Sequence, residues 1–382
     1  MISALPSFIT SRSRRTLIGE WWRSIDQVTL SIIICLLGAG LILSMASSPA
    51  ASARLDYSNG FYFLYKHMIF VGLGFVGMFL VSLFDAVNAR RIAVFTLIGS
   101  FLLMLALPFL GYEVKGATRW IRLGPLSLQP SEFVKPAFIV FAAWMFSIRE
   151  RDPNVPSVAI VFATYIALIA MLIMQPDFGQ SFLLTLGFAA VFFFAGLSLG
   201  WVLIMLGITV CGAVAAYLAL PHVRARVQAF TSPNTADSYQ TDKAIEAISS
   251  GGFFGQGPGE GVVKYSLPDG NTDFIFALTV EEFGFLISVI LILLLASLVI
   301  QSFRNALRLN DYFCQLAPAG LATMIGMQTI INLFVNLNMV PSKGMTLPFI
   351  SNGGSSMLAL CFTAGLILAF TRRRPGAYEY GR

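Results

Sequence analysis

The run Asn271-Thr272-Asp273-Phe274-Ile275-Phe276-Ala277-Leu278-Thr279-Val280-Glu281-Glu282-Phe283-Gly284 leaves a polar loop and continues as apolar sequence to Val299. From Phe274 onward it exceeds the roughly 20 residues a helix needs to cross a hydrocarbon core, so it reads as a membrane span with a carboxylate at its mouth. Asp273 there keeps some contact with water but loses much of its solvation, which makes it costly to place and a candidate functional group. It equally suits a helix N-cap, where its charge favours the dipole, and the segment alone leaves both readings open. Glu281 and Glu282 follow eight and nine residues later, roughly 12 to 14 Å deeper on a continuous helix. They are too far to share one small group with Asp273, and two acids in an apolar helix call for partners in an internal polar cluster.

The rest of the chain repeats this apolar pattern. Hydrophobic residues make up 57% of the 382 positions and charged residues 12%, with a mean hydropathy of +0.77. The charged share is about half that of soluble domains, which excludes an ordinary soluble enzyme; no nucleic-acid partner is expected. The fold class expected is all-α, a polytopic membrane protein with about ten transmembrane helices. These run over Val28–Ala46, Met68–Leu83, Ile92–Leu110, Phe133–Ile148, Val158–Met174, Ser181–Ala195, Trp201–Leu220, Phe274–Val299, Leu316–Leu333 and Ser355–Phe370. Alternating sides from a cytoplasmic N-terminus collects Arg12, Arg14, Arg15, Arg23, Arg90, Arg91, Arg149, Arg151, Arg304, Arg308, Arg372, Arg373, Arg374 and Arg382 inside, as basic residues hold short loops in the cytoplasm. Both termini are then cytoplasmic, as tails 1–27 and 372–382 around one membrane domain, 28–371. That domain includes a large extracytoplasmic loop, 221–273, between helices seven and eight. The small residues Ser47–Ala53 after the first apolar run suggest a signal peptide, but that run is longer than the roughly 7 to 15 residues such a signal uses, and it reads as a retained helix. Cys35, Cys211, Cys314 and Cys361 stand singly in apolar runs, and His67 and His222 are isolated, so no metal or disulfide is expected.

Polarity of an informative kind lies in the outer segments. Lys115–Glu132 interleaves Lys115, Arg119 and Arg122 with Trp120, Ile121, Leu123 and Leu126, a pattern suited to lying in the headgroup layer. Glu132 and Lys135, three residues apart, face one another at the start of a helix. Gln175-Pro176-Asp177-Phe178-Gly179 forms a turn in which Asp177 is either a cap or a functional acid. The loop carries a short helix around Ser238–Ser249, with Ala244, Ile245, Ala247 and Ile248 on one face, then the glycine-rich Gly251–Gly261, whose glycines suit tight backbone turns rather than a nucleotide. Val340–Ser356 is too rich in proline and glycine for a helix and too apolar for a solvated loop, so it should fold back into the protein; Lys343, its only charge, is a candidate anion contact.

These motifs, in this order, resemble the SEDS family of shape, elongation, division and sporulation proteins, from the first helix to the basic tail. The likeness rests on Lys115-Gly116-Ala117-Thr118-Arg119-Trp120-Ile121, Gln129-Pro130-Ser131-Glu132, Gln175–Gly179, Asn271–Ala277 with Glu281–Gly284, and Pro348-Phe349-Ile350-Ser351-Asn352-Gly353-Gly354-Ser355-Ser356. Within the family, Pro341–Pro348 with its Lys343-Gly344 pair is similar to the division branch rather than the elongation branch. Two departures stand out: Asn271 where relatives often carry His, and Asn352 where many carry Tyr. Asn271 hydrogen-bonds but does not titrate, which removes a titrating role at that position.

The resemblance implies a bacterial inner-membrane peptidoglycan glycosyltransferase that polymerises lipid II on an undecaprenyl-linked glycan at the division septum. It implies a class B penicillin-binding protein and other divisome membrane proteins as partners. Asp273 would be the catalytic base, Arg119, Arg122, Lys135 and Lys343 would bind pyrophosphate, Glu132 and Ser355 would contribute to substrate binding, and Asp177, Glu281 and Glu282 would support. It implies no resident cofactor, leaving a divalent cation on the leaving group as an open possibility. A lipid II flippase, an elongation polymerase and a noncatalytic scaffold are the alternatives.

Overall fold

The computed structural model describes residues 17–114, 117–124, 126–196, 236–341 and 344–373, with isolated positions between 200 and 224. A short helix, α1 (Leu17–Ser24), leads to α2 (Gln27–Arg54), which begins at Asp26, whose carboxylate accepts from Thr29 N at 2.9 Å and Thr29 Oγ1 at 2.5 Å. α3 (Tyr62–Leu83), α4 (Ala86–Leu110), α5 (Pro130–Arg151), α6 (Ser157–Met174) and α7 (Phe178–Phe194) follow, then α8 (Ala236–Gly251), α9 (Ile275–Ala306), α10 (Tyr312–Asn336) and α11 (Gly354–Phe370). Seven of these, α2 to α6, α9 and α10, are long and apolar enough to cross a membrane, and α7 and α11 are shorter apolar helices. The chain is therefore a mostly helical, multi-pass membrane protein. The expected span Trp201–Leu220 lies almost entirely outside the described residues.

The other nine expected spans overlap α2 to α7 and α9 to α11, and most of these helices extend past the predicted ends. Small residues set the packing. A Cβ on Gly320 of α10 would stand 2.3 Å from Val191 Cγ2 of α7, and one on Gly74 of α3 would stand 2.8 Å from Cys361 Sγ of α11. Such glycines let helices approach where apolar burial alone gives no preference for protein over lipid.

Two features depart from an all-α bundle of continuous helices. First, the interfacial segment is a three-stranded antiparallel sheet in the order β1-β2-β3: Gly111–Val114, Ala117–Leu123 and Leu126–Leu128. Alternation along β2 explains it, since Ile121 is buried whereas Arg122 turns outward over the Tyr112 ring at 4.8 Å. Second, α9 breaks at Gly284, where φ is +82° and ψ 174°, values open to glycine and closed to most residues. From Phe285 to Ala306 the helix alone reaches about 33 Å, so it spans without the preceding turns. Glu281 and Glu282 thus sit beside the break. The loop helix is where the sequence places it, with Ala244 and Ala247 buried against Leu267, Phe274 and Ala277; Ile248 packs beside them, and Ile245, expected on or near this face, is exposed.

Candidate functional site

The first residues of α5, α7 and α11, the loop before α9, part of the segment 111–128 and the facing ends of α2 and α3 line a cavity of about 360 Å³ at one end of the bundle. Arg372 at the opposite end donates to Leu83 O at 2.8 Å and to Ser24 Oγ at 3.0 Å, and Arg151 pairs with Asp311 at 2.9 Å. Arg151 and Arg372, two of the arginines expected in the cytoplasm, thus lie away from the cavity.

Asp273 lines this cavity and is half-buried. It is not the cap of α9, whose cap position is Phe274 without a side-chain hydrogen bond. The capping is done from α10: Asn336 Oδ1 accepts from Ala277 N at 3.0 Å, while Asn336 Nδ2 and Asn332 Nδ2 donate to the Asp273 carbonyl at 3.0 and 2.9 Å. A neighbouring helix thereby satisfies the Ala277 N–H in the first turn of α9.

The segment after Pro341 folds inward, with Met345, Leu347, Phe349 and Ile350 buried. Buried irregular backbone needs partners, and the same face of α10 supplies them. Asn332 Nδ2 donates to Met345 O at 2.7 Å and Gln328 Nε2 to Thr346 O at 2.9 Å. Ser351 Oγ accepts from Leu347 N and donates to Thr272 O at 2.6 Å, and Asn352 N donates to Asn271 O at 3.0 Å. Gln328, Asn332 and Asn336 form an i, i+4, i+8 stripe on an apolar helix, a signal present in the sequence that the search for charged groups passed over.

A satisfied polar chain forms the opposite wall. Arg119 stands 3.9 Å from Asp177 and donates to the carbonyls of Gln175, at 2.9 Å, and Pro176. Asp177 is both a cap, accepting from Gln180 N, and a network member, accepting from Gln129 Nε2 at 3.1 Å. Burial pushes its carboxyl above the usual range, against the pull of Arg119. Gln180 Nε2 donates to Glu132 Oε1 at 2.6 Å, and Lys135 donates to Glu132 Oε2 at 2.9 Å and to Gln180. The Glu132–Lys135 pairing expected from spacing is therefore present.

The structure sorts the remaining site residues. Arg119, Glu132 and Asp177 line the cavity with Asp273. Lys135 is buried behind Glu132, and Arg122 faces outward over Tyr112; neither lines the cavity. Ser355 does not line it either: fully buried, it donates to Ser127 O at 2.7 Å and accepts from Gln129 N at 3.0 Å, tying α11 to the sheet, while its neighbour Ser356 lines the cavity. Lys343 lies outside the described residues. Arg54, Lys66 and Asp269 line the cavity and were not singled out from sequence; ending or starting an apolar run beside the outer loops was their only signal. Among the described residues no group of three or more His, Cys, Asp or Glu is placed to hold a metal ion.

Glu281 and Glu282 have the partners their burial demands. Glu282 Oε1 pairs with Lys264 Nζ at 2.6 Å and Oε2 accepts from Gly259 N at 2.9 Å; Glu281 accepts from Val263 N at 2.7 Å and Lys264 N at 3.1 Å. Lys264 Nζ also donates to Gly259 O and to Ala46 O of α2.

Comparison with known proteins agrees with this arrangement. The FtsW/RodA/SpoVE cell cycle protein model matches residues 27–375. The chain is 46% identical over 368 residues to a probable peptidoglycan glycosyltransferase FtsW of Caulobacter vibrioides, covering 96% of this chain and 94% of that protein. It is 31% identical to stage V sporulation protein E of Bacillus subtilis, covering 91% and 97%. Among solved structures it resembles a chain of a peptidoglycan synthase complex studied for the coordination of polymerization and crosslinking, with a TM-score of 0.75, 26% identity and coverage of 92% and 98%. It also resembles the rod shape determining protein RodA of Thermus thermophilus, with a TM-score of 0.68, 25% identity and coverage of 92% and 97%. With most of its length matched by the family model and by relatives above 30% identity, the chain belongs to the FtsW/RodA/SpoVE family of cell cycle proteins, the SEDS family its motifs resemble.

Proposed function

We propose that this chain is a peptidoglycan glycosyltransferase that polymerises lipid II at the division septum. The observation that carries the reading is Asp273, which lines one cavity with Arg119 while Asn336 of α10 accepts from the Ala277 N–H in the first turn of α9. In the reaction, an acceptor sugar hydroxyl attacks the anomeric carbon of the lipid-linked donor. The bond from that carbon to the pyrophosphate oxygen breaks, and undecaprenyl pyrophosphate leaves. Asp273 takes the hydroxyl proton as general base, and cations around the cavity offset charge on the leaving group. Arg119, Lys66 and Arg54 are at hand; Lys343, outside the described residues, is proposed as a further anion contact from the sequence. Lys135 and Ser355 act from behind, holding Glu132 and Gln129; Arg122 belongs to the outer surface of the sheet.

The topology that goes with this function has ten spans, both termini cytoplasmic and the cavity and loop 221–273 outside, within one membrane domain, 28–371. An FtsI-like class B penicillin-binding protein is the partner that would crosslink the strands, a pairing supported by the similarity to the synthase-complex chain; further divisome proteins would bring both to the septum. The division assignment over elongation rests on the Caulobacter FtsW relative.

The test uses purified protein with its transpeptidase in vesicles carrying lipid II, following glycan formation and transbilayer movement together. Glycan strands made without movement of lipid II are the expected result. Movement without polymer would make the chain a flippase.

A further inference from the structure

A junction between the candidate site and the lipid-facing surface takes no part in the proposed chemistry. Where Gly284 breaks α9, segment 252–257 fills the gap with main chain. Phe285 N and Leu286 N donate to the carbonyls of Gly252, at 3.0 Å, and Phe253, at 3.3 Å, while Gln256 N and Gly257 N donate to those of Glu281, at 2.8 Å, and Glu282, at 3.0 Å. The approach admits only glycine: a Cβ on Gly255 would lie 2.2 Å from Glu282 O, and one on Gly284 2.4 Å from Phe253 O. Phe253 and Phe254 are therefore fixed in height relative to Phe285.

Both rings point away from the protein, with exposures of 69% and 82%. Phe253 meets the ring of Phe285 edge-on at 6.3 Å, and Phe285 opens the exposed stripe of α9 that continues through Leu286, Ile290 and Leu293. Because Phe285 to Ala306 covers about 33 Å, Phe285 stands at the boundary of a hydrocarbon core of about 30 Å. The two phenylalanines stand at the same boundary, the depth where large rings lie with one edge in the acyl region.

We propose that Phe253 and Phe254 form an interfacial anchor that inserts into lipid of the outer leaflet at the acyl–headgroup boundary. Through the four main-chain bonds it holds the half-helix Ile275–Phe283, and Asp273 just before it, at a fixed height. The occupant is lipid because the rings continue the lipid-facing stripe of α9 without a step. The word outer rests on the topology proposed above; the insertion itself does not.

The test places a nitroxide separately at positions 253, 254 and 260 of the full chain, with Cys35, Cys211, Cys314 and Cys361 replaced by Ala, in nanodiscs of phosphatidylethanolamine and phosphatidylglycerol. Collision with oxygen should exceed collision with a water-soluble nickel chelate at 253 and 254, and the order should reverse at exposed Glu260. Greater access to nickel at 253 and 254, or little access to either reagent because protein covers them, overturns the proposal. Should the cysteine-free chain not fold, Phe254→Trp in the native background gives the same answer. Its added emission should be quenched by lipids brominated near the glycerol end of the acyl chain, and unquenched emission overturns the anchor. No lipid II is needed, so the anchor and the polymerase reading fail separately. For the positioning part, Phe253→Ser with Phe254→Ser should lower polymerisation by about an order of magnitude, while Phe253→Leu with Phe254→Trp retains it; equal activity in both pairs overturns it.

Discussion

Replacing Lys264 with Met removes the only side-chain cation within reach of Glu282 among the described residues. Their charged atoms are 2.6 Å apart, with side-chain exposures of 1% and 2%. Removing one member of a buried pair leaves the other charge without compensation, at a cost of about 3–5 kcal/mol. Replacing both members with apolar residues of similar size is near neutral, apart from the Gly259 N–H that Glu282 accepts and the Gly259 and Ala46 carbonyls to which Lys264 donates, worth about 1 kcal/mol each. Lys264→Met should therefore loosen segment 252–265 strongly, and Lys264→Met with Glu282→Leu should restore part of its order. Amide hydrogen exchange in nanodiscs reads this locally: at about 1.36 kcal/mol per tenfold, the single change should speed exchange of the Gly257 and Gly259 amides about 100-fold or more. At Gly257, whose amide keeps the Glu282 carbonyl as acceptor, the double variant should exchange at least about tenfold more slowly than the single one. Unchanged exchange in Lys264→Met, or a double variant as disordered as the single one, would refute the reasoning that the ion pair closes this loop on α9.

Asn336→Ala should lower the thermal stability of the purified protein by about 1–3 kcal/mol, because it orphans Ala277 N–H and removes a donor to the Asp273 carbonyl; Asn336→Asp should not rescue it, since a carboxylate cannot donate. Ser355→Ala leaves buried Gln129 N without its acceptor and should cost a similar amount of stability in a melting experiment, with KM for lipid II unchanged. At the other end of the bundle, burial alone would raise the carboxyl of Asp26, but bonds from Thr29, Asn305 and Gln301 outweigh it and hold it below 3.8. A depressed folded value gives stability that is present above the unfolded value and lost as pH falls through the folded one. Melting temperature should accordingly drop on acidification below about 3.8 in the native chain and drop less in Asp26→Asn.

How much of this was legible in sequence depended on whether the signal was charge or contact. The Glu132–Lys135 pair and the need of Glu281 and Glu282 for partners could be read because a buried charge is costly wherever the chain goes. The inward fold of 344–353 could be read because its prolines and glycines deny a helix while its apolar residues deny solvent. The break in α9 could not, since a single glycine in an apolar helix carries no local sign of the segment 252–257 that pairs into it. The amide stripe of α10 passed unnoticed because Gln328, Asn332 and Asn336 are uncharged, although their spacing puts them on one face. Arg119 and Arg122 look alike in sequence and separate only once β2 exists, where one reaches the Gln175–Asp177 turn and the other stacks on Tyr112. Ser355 and Ser356 likewise part by a single helical step, which decides between a strut and a cavity wall.

The central claim is that Asp273 acts as the base and not as a helix cap. Asn caps helices about as well as Asp and accepts no proton, so Asp273→Asn separates the two roles with almost no change in shape. The decisive measurement is lipid II polymerisation by the purified Asp273→Asn protein with its transpeptidase, beside a melting curve of the same sample. Loss of glycan product with a native melting temperature is the predicted result, and glycan made at the native rate by Asp273→Asn would contradict the account.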